Sequence, residues 1–370
     1  MRMTPPRTDL LGLSFQELTA LVEDLGQPAY RAKQLYHAIY RERVGAIREI
    51  STLPEELKTK MVDQGLTIGL PVIQKKFVSV DGTVRYLFEY PDGQSVETVW
   101  MPEGDGGEAG DGTPAGEEEL PTPNRVSRAT ICISSQVGCA VNCQFCMTAL
   151  LGLKRNLTAG EIVGQVLVVL NDHQVDLQTK RINLVFMGQG EPFHNYDSFI
   201  KAVRLLVEAV RIAESRITVS TSGIVPRIAD LGKEPIRPKL AISLNASNDA
   251  ERTKLIPINK KWNIAALLEA AKQFPLRRRE KVTFEYVLLD HENDSVENAK
   301  EVIELLRGMN AKVNLIAWNS GPEIPFATPS DDRVHAFQQT LRDAGIPAFI
   351  RRPRGRDIYA ACGQLKRSAS

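Results

Sequence analysis

The chain has 370 residues, 43% of them hydrophobic and 25% charged, with a formal net charge of +1. That composition is ordinary for a globular protein and excludes a disordered or fibrous chain. No apolar run reaches membrane-spanning length and the start, MRMTPPRTDLLG, lacks the apolar core of a signal peptide, so the chain reads as cytoplasmic.

Ser14-Phe15-Gln16-Glu17 forms a capping box that opens a helix through Val22, and residues 29–41 and 53–64 carry two more amphipathic stretches. Residues 1–70 are therefore expected to make a small helical accessory domain. In residues 72–101 the runs YLFEY and VETVWM read as strands, so 71–128 is expected to be an extended β connector. Within it, residues 103–120 hold seven acids, six glycines and no basic residue. Such a segment buries too little apolar surface to order itself, and the insertion at 103–127 is expected to loop away from any polyanion.

From Thr158 onward, short β-branched runs alternate with amphipathic stretches. Strands are expected at 129–134, 182–187, 216–220, 239–244, 282–289, 313–318 and 348–351, with helices at 159–170, 198–213, 296–309 and 331–344 among those between them. This alternation predicts an α/β fold over 129–346, a mostly parallel sheet forming a barrel or partial barrel. The seventh run either closes the barrel or lies on its edge, and 347–370 remains as a C-terminal segment.

Chemistry concentrates at the strand ends. Cys139, Cys143 and Cys146 form C-x3-C-x2-C after the first strand. Three thiolates at this spacing can hold three irons of a [4Fe–4S] cluster and leave the fourth open to a non-protein ligand. A zinc site that recruits Cys132 is the alternative, although structural zinc ligands usually arrive as two separated C-x2-C-like pairs. Gly188-Gln189-Gly190-Glu191-Pro192, Ser220-Thr221-Ser222-Gly223, Ser243-Leu244-Asn245 and Trp318-Asn319 end the second, third, fourth and sixth strands. In βα barrels that face carries the active site, whereas singly each motif could be a turn or a helix cap. Basic residues gather at Lys154-Arg155, Lys260-Lys261, Arg277-Arg278-Arg279 and at Arg351, Arg352, Arg354 and Arg356. On one rim they would make a footprint for a polyanion, while any one pair reads as solvated surface. The histidines, His37, His173, His194, His291 and His335, lack ligand spacing and read as structural.

The stretches S-S-Q-V-G-C-A-V-N-C-Q-F-C, V-F-M-G-Q-G-E-P, V-S-T-S-G-I-V-P, L-A-I-S-L-N-A, P-I-N-K-K-W-N, F-E-Y-V-L-L-D and A-A-C-G-Q-L resemble the dual-specificity ribosomal RNA adenine-C2 methyltransferases of the radical S-adenosylmethionine (SAM) superfamily. The resemblance spans nearly the whole chain, the acidic insertion being the main extra. It implies methylation at C2 of an adenosine in the peptidyl-transferase region of 23S ribosomal RNA and of an adenosine beside the anticodon of some tRNAs. A sister group with the same framework methylates C8 of the same rRNA base and is the nearest rival.

Adenine C2 is electron-poor, so the methyl group rather than the base has to be activated. The resemblance implies that a [4Fe–4S] cluster on Cys139, Cys143 and Cys146 and two SAM molecules do this. It makes Cys362 the S-methylcysteine carrier, Cys132 the resolving partner in a transient disulfide, and Glu97 the acceptor of the C2 proton. A free cysteine is otherwise commonly a small buried hydrophobe, and Glu97 an exposed strand residue. Arg354 and Arg356 near Cys362 are expected to favour its thiolate. Gly190 and Glu191 match the contact to the methionine amino group, with Ser220, Ser243, Leu244, Asn245 and Asn319 as further SAM contacts. Asn245 departs from the family's S-L-H-A pattern. The remaining implied partners are an external electron donor such as flavodoxin and the RNA itself, gripped by the helical domain and the basic runs of a monomer.

Overall fold

Short β-branched runs followed by amphipathic stretches yield one large sheet carrying crossover helices, beside two small two-stranded pairings, in a computed structural model that describes residues 7–102, 127–320, 323–351 and 353–365. The acidic insertion lies outside the described residues apart from Ser127. The sheet has ten strands: β1 (Val72–Val78), β2 (Val84–Glu89), β3 (Ser95–Pro102), β4 (Arg128–Cys132), β5 (Arg181–Phe186), β6 (Ile217–Thr221), β7 (Lys239–Ser243), β8 (Val282–Leu288), β9 (Ala311–Ala317) and β10 (Ala348–Arg351). They lie side by side in chain order. Strands β4 to β10 run parallel, while β1, β2 and β3 form an antiparallel meander added to β4. All seven strands expected from residue 129 onward are present, shifted by no more than two residues at their ends.

The sheet is open. β1 and β10 are its edges, so the seventh expected strand does not close a barrel. The chain after β10 spans the gap instead. Gly355 N–H donates to Asp81 Oδ2 (3.0 Å), and Asp357 accepts from Ser79 Oγ (2.5 Å) and Val80 N–H (3.2 Å) in the β1–β2 turn. Farther along, Met147 N–H donates to Gly363 O (2.7 Å), Thr148 Oγ1 to Leu365 O (2.8 Å) and Gln364 Nε2 to Ser320 O (3.1 Å).

Period-two alternation sorts the side chains of β3 between two environments. Thr98 bonds Gln165 of helix α4 (Ala159–Asp172) at 2.7 Å and Trp100 stacks on His173 at 4.0 Å, so that face meets the helical layer. Val99, on the other face, packs with Cys132, Ala360 and Leu365 inside the curved sheet. No helix of the described residues is long and apolar enough to cross a membrane.

The N-terminal helices α1 (Phe15–Asp24), α2 (Tyr30–His37) and α3 (Glu55–Asp63) follow the expected stretches, and the Ser14–Glu17 capping box is formed. The stretches expected at 29–41 and 198–213 end differently. Each helix widens into a π-helical turn, Ala38–Glu42 or Leu206–Val210, stopped by Arg43 (φ 56°) or Arg211 (φ 75°) in the left-handed region. Their apolar faces continue into the last turn, so periodicity alone does not mark the change.

The N-terminal helices share one apolar core with α4 and the sheet. Their contact is close because glycine meets glycine: a Cβ on Gly12 would lie 2.6 Å from Gly160 N, and one on Gly160 would lie 2.2 Å from Leu11 O. Alanine would improve the intrinsic helix propensity of α4 by about 1 kcal/mol, but the obstacle is backbone and cannot rotate away. Gly160→Ala should therefore lower stability by about 1–3 kcal/mol in urea unfolding, as overpacking does. Unchanged stability would contradict this docking.

Candidate active site

The loop after β4 carries Cys139, Cys143 and Cys146, and all three line one cavity with the ends of the next strands. Val141, Phe145, Met147 and Trp318 pack around this loop, and Trp318 Nε1 donates to Phe145 O at 3.0 Å, so its surroundings are largely apolar. Burial raises all three thiols, Cys139 to about 12, and for Cys143 the charges of Cys146 and Cys139 add to the rise. Three thiols that repel one another as anions in an apolar setting suit a multiply charged cationic partner. Among the described residues no three such side chains sit at metal-ligand spacing; the fit rests on the shared cavity and this mutual coupling.

Gly190, Glu191, Ser220, Ser243 and Asn245 line the same cavity. Gly190 (φ 96°) has no room for a side chain, since a Cβ would lie 2.5 Å from that of Gln136. The buried Glu191 carboxylate ties two strand ends together, accepting from Phe193 N–H (3.0 Å), Ser222 N–H (2.7 Å) and Ser222 Oγ (2.8 Å). Asn245 sits at φ 55°, a conformation Asn tolerates well. Its side chain accepts from Val287 N–H (2.8 Å), so in this chain it fixes the loop to β8. Leu244 does not line the cavity; its side chain is fully buried and its carbonyl accepts from Arg252 Nε at 3.1 Å. Arg252 also donates to Ser222 O (2.7 Å), Ser243 O (3.0 Å) and Asn259 Oδ1 (2.9 Å), and burial lowers its pKa to about 10. Sequence reading missed this residue, because an arginine in D-A-E-R-T looks like any solvated helical cation.

A second cavity, about 1160 Å³ against about 890 Å³ for the first when their open mouths are counted, is lined by Cys132, Arg128, Asn183, Asn319, Arg351 and Arg354 among others. Asn319 thus lies here and not with the other expected SAM contacts. Met187, Glu285, Ile316 and Cys362 line both cavities. Cys132 and Cys362 therefore face one space, and both are free thiols. Burial, then the charge of Cys362, raises the Cys132 thiol far above its ordinary value. Cys362 is exposed at the cavity, yet desolvation by the walls around it, and then the Glu285 carboxylate, raise its thiol to about 11, and Arg351 opposes them. The expected thiolate-favouring pull of Arg354 and Arg356 is thus corrected: the opposing cation is Arg351, and the thiol is held neutral.

Glu97 is fully buried and paired with the buried Arg85, and it lines neither cavity. It lies on the face of β3 that carries Val99, the register partner of Cys132, about 7 Å along the strand. The bland reading of an exposed strand residue is excluded. Of the basic clusters, Arg155 is spent on Asp92 and Glu161, and Arg277 on Glu214. Among them, Arg351 and Arg354 face the large cavity, joined there by Arg128.

The Radical SAM superfamily profile matches residues 133–306, and that of the ribosomal RNA large subunit methyltransferase N-terminal domain matches residues 8–65. The chain is 65% identical over 347 residues to a probable dual-specificity RNA methyltransferase RlmN of Koribacter versatilis, covering 94% of this chain and 98% of that protein. It is 42% identical over 360 residues to a dual-specificity RNA methyltransferase RlmN of Campylobacter jejuni, covering 95% and 97%. A crystal structure of a radical SAM methyltransferase from Sphaerobacter thermophilus superposes with a TM-score of 0.86 at 41% identity, over 98% of this chain and 99% of that one.

The state of Cys362 is open to measurement. With a thiol near 11, on the order of one molecule in a few thousand is ionised at pH 7.5, and only the thiolate reacts. Alkylation of native protein by iodoacetamide, followed on the Cys362 peptide by mass spectrometry, should at pH 7.5 run well below the rate for a solvated cysteine peptide. A half-maximal rate near pH 7 would contradict the assigned surroundings.

Proposed function

This chain belongs to the RlmN family of dual-specificity RNA methyltransferases in the radical SAM superfamily, and we propose that it methylates C2 of an adenosine in the peptidyl-transferase region of 23S ribosomal RNA and of the adenosine beside the anticodon of some tRNAs. The observation that carries this reading is the position of Cys362, which lines both the cavity of the cysteine triplet and the cavity of Cys132. A methyl carrier has to reach a donor on one side and a base on the other.

Cys139, Cys143 and Cys146 would hold a [4Fe–4S] cluster, and Gly190, Glu191, Ser220, Ser243 and Asn245 would surround SAM. When bound, cluster and SAM supply the electron, the methyl groups and the hydrogen-abstracting radical. Cys362 receives the methyl group and presents it to the large cavity. Glu97, ion-paired with Arg85, accepts the C2 proton; from its buried position this transfer needs a water or a local opening. Cys132 then displaces the carrier as a transient disulfide, an ordinary thiol exchange in a reducing cytoplasm. Arg128, Arg351 and Arg354 offer charge to the phosphates of an extruded nucleotide. An external electron donor such as flavodoxin and action as a monomer complete the reading.

Ribosomal RNA from a strain lacking this gene should lose 2-methyladenosine and regain it on complementation, read by mass spectrometry of nucleosides. Restoration of 8-methyladenosine instead would contradict C2 chemistry. Cys139→Ala should remove the roughly four irons per chain. Cys132→Ala should accumulate a covalent protein–RNA adduct, and a variant that turns over normally would refute its resolving role.

A further inference from the structure

Strand β8 is buried along its whole length, V-T-F-E-Y-V-L, and Glu285 sits in the middle of it. An ionisable group in such a strand is costly unless it has a partner or a task. One carboxylate oxygen has a partner: Asn314 of β9, opposite in register, donates Nδ2 to Oε1 at 2.8 Å. The other, Oε2, has no hydrogen-bond partner among the described residues. Of the four residues that line both cavities, Glu285 and Cys362 are the two that can exchange a proton.

Taking Cys362 as the methyl carrier proposed above, we infer that Glu285 is the acceptor of its thiol proton, directly or through one water. The S–H bond of Cys362 breaks and its proton passes to a Glu285 oxygen. The sulfur lone pair forms the new S–C bond to the methyl of the sulfonium donor, and the broken donor S–C pair returns to donor sulfur as a neutral thioether. Carboxylate and sulfonium charges disappear together, and no oxidant or reductant is required.

The other carboxylates are less suited. Glu97 is paired with Arg85 and lines neither cavity, and Glu191 already accepts three hydrogen bonds. The groups facing Glu285 are Lys312 and Asn314 from β9, Arg351 from β10 and Cys362 from the C-terminal segment. Burial raises the Glu285 carboxyl against the pull of Arg351, Asn314 and Lys312, which makes it a stronger base than a solvated carboxylate. The thiol, near 11, would otherwise give its proton to water only reluctantly.

The test is a single charging of anaerobically reconstituted holoenzyme, its Cys362 unmodified, with methyl-deuterated SAM and no RNA, read as the mass of the Cys362 peptide over time. Wild type should charge at a rate flat from pH 7.5 to 9 and falling on the acid side as Glu285 takes up its proton. Glu285→Gln should charge at least tenfold more slowly at pH 7.5 and gain about tenfold per pH unit as hydroxide takes over. Glu285→Asp should keep the flat profile at an intermediate rate. A Gln variant at the wild-type rate, or slowed with an unchanged flat profile as a structural role would give, overturns the inference. If the Gln variant loses iron, a steep profile for the Asp variant overturns it instead and a flat one upholds it. No label on Cys362 in wild type overturns the carrier reading and this inference together, whereas an unchanged Gln variant overturns this inference alone.

Discussion

An open sheet leaves two edges, and what crosses the gap between them decides what this protein can do. Unpaired edges invite foreign strands unless something covers them. Here the chain that leaves β10 is pinned across the gap by the Asp357–Ser79, Asp357–Val80 and Gly355–Asp81 hydrogen bonds. Gly355 (φ 60°) makes the turn, since a Cβ would lie 2.7 Å from Ala360 and 3.0 Å from a Thr83 methyl. Burial disfavours charge on Asp81, yet hydrogen bonds from Thr83, Gly355 and Ser79 bring its pKa down to about 2. Those bonds place Cys362 over the sheet interior, between the strand-end cavity and that of Cys132.

Two carboxylates inside the same sheet are set in opposite ways. Glu97 has a guanidinium partner, and its charge is compensated inside the core. Glu285 has a neutral amide on one oxygen and cavity space around it, and burial raises its pKa. One carboxylate is thus held in an ion pair, while the other lines both cavities. The cysteines follow the same logic. Surroundings that keep Cys132 and Cys362 neutral also keep them from reacting until a base or substrate arrives.

The parallel strands were legible because a strand buried on both faces must be a short β-branched run, and I-N-L-V-F or K-L-A-I-S permits little else. Motifs at their carboxyl ends were legible for a related reason: glycine and small polar residues at successive strand ends have no packing use that repeats. Less could be read of anything that depends on distant pairing. Whether β10 closes on β1 is decided by contacts such as Ser79 with Asp357, residues far apart in the chain and unremarkable alone. Arg252 and Arg85 look like surface cations until the fold buries them, and Glu285 looks like half of an alternating strand until both of its faces prove to be covered. The resemblance supplied names for Cys362, Cys132 and Glu97; only the fold could reveal that the first two face one cavity while the third lies behind an ion pair.

The segment bridging the open sheet brings Cys362 and Cys132 to one space, and mild oxidation should join them. Anaerobically prepared holoenzyme treated with diamide, then alkylated and digested, should yield a disulfide-linked pair of peptides containing Cys132 and Cys362 as the main oxidised product. Asp357→Ala, which unpins the bridge from the β1–β2 turn, should lower the yield. Recovery of Cys132 and Cys362 as separate alkylated peptides, under conditions that oxidise a control dithiol, would contradict the arrangement.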